Sequence, residues 1–394
     1  MNCKISKTIK FSVFVASIVV LTSCLATQSV SEIKELNKSN VEVYQNLDFS
    51  KYIDSCHFLK LETKRNCLIG TINDIQFAAN KIFVLSSISG ENEVLENEVL
   101  VFDKTGLFLN KIGSKGQGPQ EYLSLSSFCI NKLKNYVVIF DTYKREIHKY
   151  DYTGKYLESI PLKAECGIVI KSRFISKNRM LCVNGINSRT FTIVFECDEN
   201  LDNINVVLSS NLTYQGLFVF ADNPITTDAK YFLEPLSNMV YQCDDKQATP
   251  VFKINLHIKD YNPEKEMTYG GDYFKLYISS LQKGFFPLSG IVENKKYLLF
   301  EQNGYFTLWD KKNNKGISSM CTLSSGTYNS FPLTGCDLIC GFENEFVRVL
   351  TDLQITEAQK YYETNKIQAN PEITKLLNKH SSEDNPTIAF YYFK

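Results

Sequence analysis

Val101 to Tyr122, VFDKTGLFLNKIGSKGQGPQEY, is the stretch that decides the fold. Its first half reads as two short strands joined by a tight turn at Asp103–Lys104–Thr105–Gly106. The physical reason is local. An Asp carboxylate accepts a backbone N–H two residues on, and Gly takes the left-handed conformation that closes the bend. The second half is a glycine-rich crossover, Gly113, Gly116 and Gly118–Pro119, ending in Glu121–Tyr122. The hairpin half recurs. Segments ending in an aromatic residue or Cys followed by Asp place Asp103, Asp151, Asp198, Asp244 and Asp310 at intervals of 48, 47, 46 and 66 residues. Thr-Gly follows the first two, giving Gly106 and Gly154. Leu201, Gln247 and Asn313 hold that offset in the later copies, so their turns are expected to differ.

Each copy is flanked by strand-forming runs, such as Lys81–Leu85 before and Leu107–Leu109 after, or Tyr136–Phe140 before and Tyr156–Leu157 after. Four short strands per unit of roughly 40–50 residues is the signature of a propeller blade. One such sheet cannot cover both its faces, so neighbours must stack around an axis. The expected fold is therefore all-β, a six-bladed β-propeller with two helical insertions. The first insertion, about residues 260–286, accounts for the 66-residue interval. The second, about 354–380, carries helix spacing at Ala358, Tyr361, Tyr362, Ile373, Leu376 and Leu377, with Pro371 suited to a first helical turn. The sixth blade assembles from Asp337–Ile339, Phe346–Leu350 and the terminal run Thr387–Phe393. Its missing strand is expected from Phe58–Leu61, so that first and last strands close the ring.

Composition bounds the function. The 394 residues carry 43 basic and 43 acidic side chains, which removes the electrostatic footprint of a nucleic-acid binder. At the N-terminus, Lys4, Lys7 and Lys10 precede an apolar run from Phe11 to Leu21, too short to span a bilayer and suited to a secretory signal. The run ends in Leu21–Thr22–Ser23–Cys24, which resembles the lipobox of bacterial lipoproteins. Residues 1–23 are thus expected to be a signal peptide, Cys24 the lipidated residue, residues 24–50 a polar tether, and 51–394 the propeller. Ten cysteines remain besides Cys3 and Cys24, without any CxxC pair. Most sit in apolar strand runs and read as small buried hydrophobes carrying free thiols. Cys336 and Cys340 lack a neighbouring histidine, and the four histidines share no ligand spacing, so neither metal nor cofactor is expected.

The segment Gly113 to Tyr122, with Tyr136 to Asp141, Arg145, Ile147 and Gly154, resembles an NHL-type repeat. Taken with Leu61–Glu62–Thr63, Leu68–Ile69–Gly70 and Asp384–Asn385–Pro386, the chain resembles the six-bladed propeller lipoproteins of Bacteroides-type bacteria (NHL/TolB-like). The resemblance implies an envelope protein, lipid-anchored at the outer membrane on its periplasmic or outer face. The candidate binding or structural loop is Gly116, Gln117, Gly118, Pro119, Glu121 and Tyr122, joined by Asp141 and Arg145. As a phosphate cradle the loop fits badly, because a strand and not a helix follows it. As a crossover it would use Glu121 to bind backbone amides and Tyr122 to pack between blades. Asp141 and Arg145 read as an ion pair, or Arg145 as a ligand-facing cation. Aromatic residues of the insertions either line a groove or form the insertions' own core. The expected role is a monomeric binding scaffold for a glycan, a peptide or an envelope protein. The alternative is a propeller enzyme of lyase or lactonase type. Three or more ligands converging at the channel mouth would favour the enzyme, and an aromatic-lined opening would favour the scaffold.

Overall fold

The computed structural model describes residues 33–44, 52–89, 95–186, 192–210, 221, 223–244, 247–256, 272–302, 305–320, 338–366 and 368–394. The expected signal peptide, residues 1–23, and the expected lipidation site Cys24 lie outside them. Three strands come first: β1 (Lys34–Leu36), β2 (Val41–Tyr44) and β3 (Ile53–Lys60). Blade 1 is β4 (Thr71–Ala78), β5 (Lys81–Ser89), β6 (Leu95–Asp103) and β7 (Phe108–Lys111). Blade 2 is β8 (Leu125–Asn131), β9 (Tyr136–Asp141), β10 (Glu146–Asp151) and β11 (Tyr156–Pro161). Blade 3 is β12 (Val169–Phe174), β13 (Arg179–Asn184), β14 (Thr192–Asp198) and β15 (Asn205–Ser209).

Blade 4 holds β16 (Tyr231–Leu233), β17 (Met239–Asp244) and β18 (Gln247–Ile254), and Ile225 bridges to Phe232 as the stub of its innermost strand. After helix α1 (Tyr273–Gln282), blade 5 is β19 (Leu288–Glu293), β20 (Tyr297–Gln302), β21 (Tyr305–Asp310) and β22 (Lys315–Met320). Blade 6 is β23 (Leu338–Phe342), β24 (Glu345–Leu350) and β25 (Thr387–Phe393), with α2 (Asp352–Asn365) and α3 (Pro371–Lys379) between the last two. The six sheets form a propeller, as the sequence predicts. All five marker aspartates are the final residues of the third strand of their blade, where the chain turns to the outer strand.

The ring closes where expected. β3 pairs antiparallel with β25, Leu59 opposite Ile388 and His57 opposite Phe390, so the N-terminal segment supplies the outer strand of the last blade. The buried Asn385 locks the joint. Its Nδ2 donates to the carbonyls of Glu62 and Cys67, and its Oδ1 accepts from Ile69 N–H, each at 2.8 Å. The turn glycines make a repeated contact between blades. A Cβ on Gly106 would lie 2.3 Å from the Lys60 carbonyl oxygen, and one on Gly154 2.3 Å from that of Lys111. Each is the end of the preceding blade's outer strand.

Two expectations are corrected. Residues 24–50 are expected to be a polar tether, but β1 pairs in parallel with β18 and β2 with β22, as fifth strands outside blades 4 and 5. Each inserts one apolar side chain, Leu36 or Val41, into the shared core, and each covers an edge whose backbone groups would otherwise be bare. The Leu201 turn also does not differ from the glycine copies. Leu201 adopts φ +60° and donates to the Asp198 carbonyl at 3.0 Å, as Gly106 and Gly154 do to theirs.

The core lies between blades. Phe83 and Val101 of blade 1 pack with Phe128, Val137 and Tyr150 of blade 2, and Tyr152 meets Phe83 edge-on at 5.1 Å. Each large side chain fully buried there contributes about 1.5–3 kcal/mol. α2 starts in a capping box, Thr351 with Gln354, and α3 follows the Asn370 cap with Pro371 in its first turn. Their Ile355, Ala358, Tyr362 and Ile373 pack on blades 5 and 6, so this insertion extends the propeller core and does not form one of its own. Tyr273 and Leu276 of α1 likewise join the core around blades 3 to 5.

Candidate functional site

The glycine-rich crossover from β7 to β8 is folded around its own polar groups. Glu121 Oε2 accepts from Gly118 N–H at 2.8 Å, and its carboxylate occupies the space a Cβ on Gly116 would need. Lys144 Nζ donates to the carbonyls of Gly118 and Glu121 at 2.6 Å, and Tyr150 Oη donates to that of Gln120 at 2.8 Å. Tyr122 is buried between blades 1 and 2, and burial holds its hydroxyl pKa well above the ordinary tyrosine value. Gln117 lies between the two glycines, and Pro119 follows Gly118 into the turn.

Asp141 and Arg145 are not paired with each other, which corrects the expected ion pair. Asp141 is fully buried and accepts four backbone N–H bonds, from Leu123, Ser124, Tyr143 and Lys144. Arg145, at φ +59°, turns the other way and donates to the carbonyls of Gly167 and Lys163 at 2.9 Å. It straps the blade 2 to blade 3 crossover. Beside them His148 is buried, with Nδ1 2.9 Å from Ser159 Oγ and Nε2 3.6 Å from Asp141 Oδ2. That last separation is too long for a hydrogen bond. The trio therefore lacks the linked geometry of a hydrolytic triad.

At the axis the innermost strands meet, and there the structure holds a cluster that the sequence reading missed. Arg173 on β12 reaches across to Asp74 on β4 with two bonds of 2.8 Å. Lys171 Nζ donates to Asn73 O at 2.5 Å, and Ser127 and Ser172 hydroxyls touch at 3.1 Å. Gln76 Nε2 donates to Asp74 and to Phe128 O, while its Oε1 accepts from Ile130 N–H. Burial pushes the Asp74 carboxyl up, but the Arg173 and Lys171 charges outweigh that and hold it below the usual range. The only sequence signal was charge inside two strand runs, Asp74 in TINDIQ and Lys171–Ser172–Arg173 in VIKSRF. Among the described residues, an ion-paired cluster joins the inner strands of blades 1 and 3, and no three His, Cys, Asp or Glu side chains converge to hold a metal.

A second concavity opens at the closing joint. A groove of about 390 Å³ runs between blade 6 and blade 1. Its floor is Leu59, Phe77, Ile82 and Phe390; its rim carries His57, Lys81, Lys104, Glu345 and Tyr392. Phe77 meets Phe390 edge-on at 6.0 Å. Burial raises the Glu345 carboxyl above the ordinary range, partly offset by its hydrogen bond with Tyr392 across the strand pair. The β4–β5 turn on its rim is Ala79–Asn80, both at positive φ (48° and 57°). Ala there keeps a bulky side chain off the rim at some conformational cost.

Among the described residues no helix is long and apolar enough to cross a membrane. No curated protein matches the sequence. Among solved structures, a Bacteroides fragilis protein presumed to be exported superposes with a TM-score of 0.66 at 18% identity, over 92% of this chain and 100% of that one. A member of the DUF4221 family from Bacteroides vulgatus aligns over 87% of this chain and 97% of that one, with 8% identity and a TM-score of 0.48. The first likeness supports the propeller fold. Residues 32–392 match the family described as Domain of unknown function (DUF4934), and the chain belongs to that family.

Proposed function

We propose that this chain is an exported lipoprotein, cut before Cys24, that presents a propeller of NHL/TolB-like kind as a binding module in the cell envelope. The signal-like N-terminus and the lipobox-like Leu21–Cys24 support the address, as does the fold shared with a Bacteroides protein presumed to be exported. Several acyl chains on one cysteine anchor stably where a single chain binds marginally. The reading places the anchor in the outer membrane, on its periplasmic or outer face.

The observation that carries the binding role is the groove of about 390 Å³ at the closing joint, within the size range of ligand sites. Its aromatic floor suits a sugar face or an apolar side chain, and Lys81, Lys104 and Glu345 supply directional polar contacts. The ligand class is a glycan, a peptide or a segment of a neighbouring envelope protein. The test is a glycan and peptide array probed with a soluble form beginning at Ile33, which keeps β1 and β2. A hit weakened about tenfold or more by Lys104→Glu or Tyr392→Ala is the expected result. A blank array, or a hit indifferent to both changes, sinks the reading. For the anchor, Cys24→Ala should release the protein from the membrane fraction.

A further inference from the structure

The buried cluster at the propeller axis is out of charge balance. Asp74, Arg173 and Lys171 are 1%, 4% and 8% exposed, and they place two cations against one carboxylate. Among the described residues, the other titratable groups facing them do not restore neutrality. Cys340 on β23 is a thiol whose pKa burial pushes up to about 12, so it carries no charge. Lys132, just after β8, adds another cation, set against the exposed Asp228. Donors are in surplus as well. Both Asp74 oxygens are taken by Arg173, and Gln76 is fully engaged. Yet the Arg173 Nε–H has no hydrogen-bond partner, and the Lys171 ammonium directs one donor to Asn73 O and lies 3.5 Å from Asp74. That leaves a donor to spare on Lys171.

We propose that the axis is a binding site for a small carboxylate monoanion, held by Lys171 and the Nε–H of Arg173. One negative charge neutralises the cluster. Ammonium and guanidinium donors form their strongest bonds with carboxylate or phosphate oxygens, and the single excess charge selects the monoanion. The site is distinct from the groove at the closing joint and does not rest on it. The competing account is that Lys171 sheds its proton. Burial lowers its pKa, and the Asp74 charge opposes this. That account gives no role to an anion.

Thermal unfolding of the full chain separates the two. Melts in sodium acetate and sodium chloride at equal ionic strength are compared for the parent protein and Lys171→Met, which keeps the Asp74–Arg173 pair. The parent should gain about 2 °C more from acetate than the variant does. General salt effects act on both proteins and cancel in that difference. Equal gains overturn the proposal. An excess in phosphate larger than in acetate overturns the assignment to a monocarboxylate. Should Lys171→Met fail to fold, saturation-transfer NMR on the parent protein decides. Signal on acetate that formate displaces and chloride does not is expected, and no transfer overturns the site.

Discussion

At the scale of single residues, the polar groups of the sequence motif serve the fold. Asp141 is the clearest case, since its four backbone N–H bonds leave it little capacity for anything else. Its neighbour His148 makes a measurable consequence. Burial lowers the His148 pKa, opposed by Asp141 and Glu146 and reinforced by Lys144. The folded value thus lies below the unfolded one of about 6.5. Below that pH the unfolded chain binds the extra proton first, so stability is full above about pH 6.5 and is lost as pH falls through the folded pKa. His148→Gln should flatten this part of the profile, read as the urea midpoint between pH 7 and 5. An unchanged slope would show that another group sets it. Leu201 shows what a motif search cannot see. It holds the left-handed turn position at a cost of about 1–2 kcal/mol, because its side chain is buried between blades 2 and 3.

At the scale of elements, legibility followed local chemistry. The third strand of five blades could be read because an Asp ends it and begins the outer turn. β3 and β25 could be read because each is seven or eight residues long with an apolar pattern. β1 and β2 could not, since three or four residues with a single buried side chain carry no periodicity. The axial cluster was hidden for a different reason. Asp74 and Arg173 stand 99 residues apart, and only the closed ring brings them together. The closing joint gathers three segments that the sequence reading had noted separately: Leu61–Thr63, Leu68–Gly70 and Asp384–Pro386. The Asn385 amide ties its own segment to the other two through Glu62 and Ile69, and holds Cys67 between them. Asn385→Ala should cost about 2–4 kcal/mol, because it strands buried backbone groups. Asn385→Asp should cost at least as much, by turning an oxygen toward two carbonyls. Chemical denaturation checks both, and a loss below about 1 kcal/mol would remove Asn385 from the closure.

At the scale of the whole molecule, the ring makes every blade depend on two neighbours, and buried thiols report on that dependence. Cys129, Cys166, Cys182 and Cys197 lie between blades 2 and 3, while Cys67 and Cys340 lie at the 6–1 closure on the other side. All six are free and buried. Burial pushes Cys129, Cys166 and Cys340 up to about 12, so almost none is present as reactive thiolate until its interface opens. If the ring opens only as a unit, alkylation in mild denaturant should modify both groups in one kinetic phase, followed by mass spectrometry of quenched samples. Half-buried Cys243 can react earlier without bearing on the matter. In Asn385→Asp the closure is the weak point, so Cys67 and Cys340 should be labelled ahead of the four between blades 2 and 3. Two separate phases in the parent protein would mean that blade pairs open independently. A single shared phase that survives Asn385→Asp would mean that the joint between the first and last strands is not where the ring begins to open.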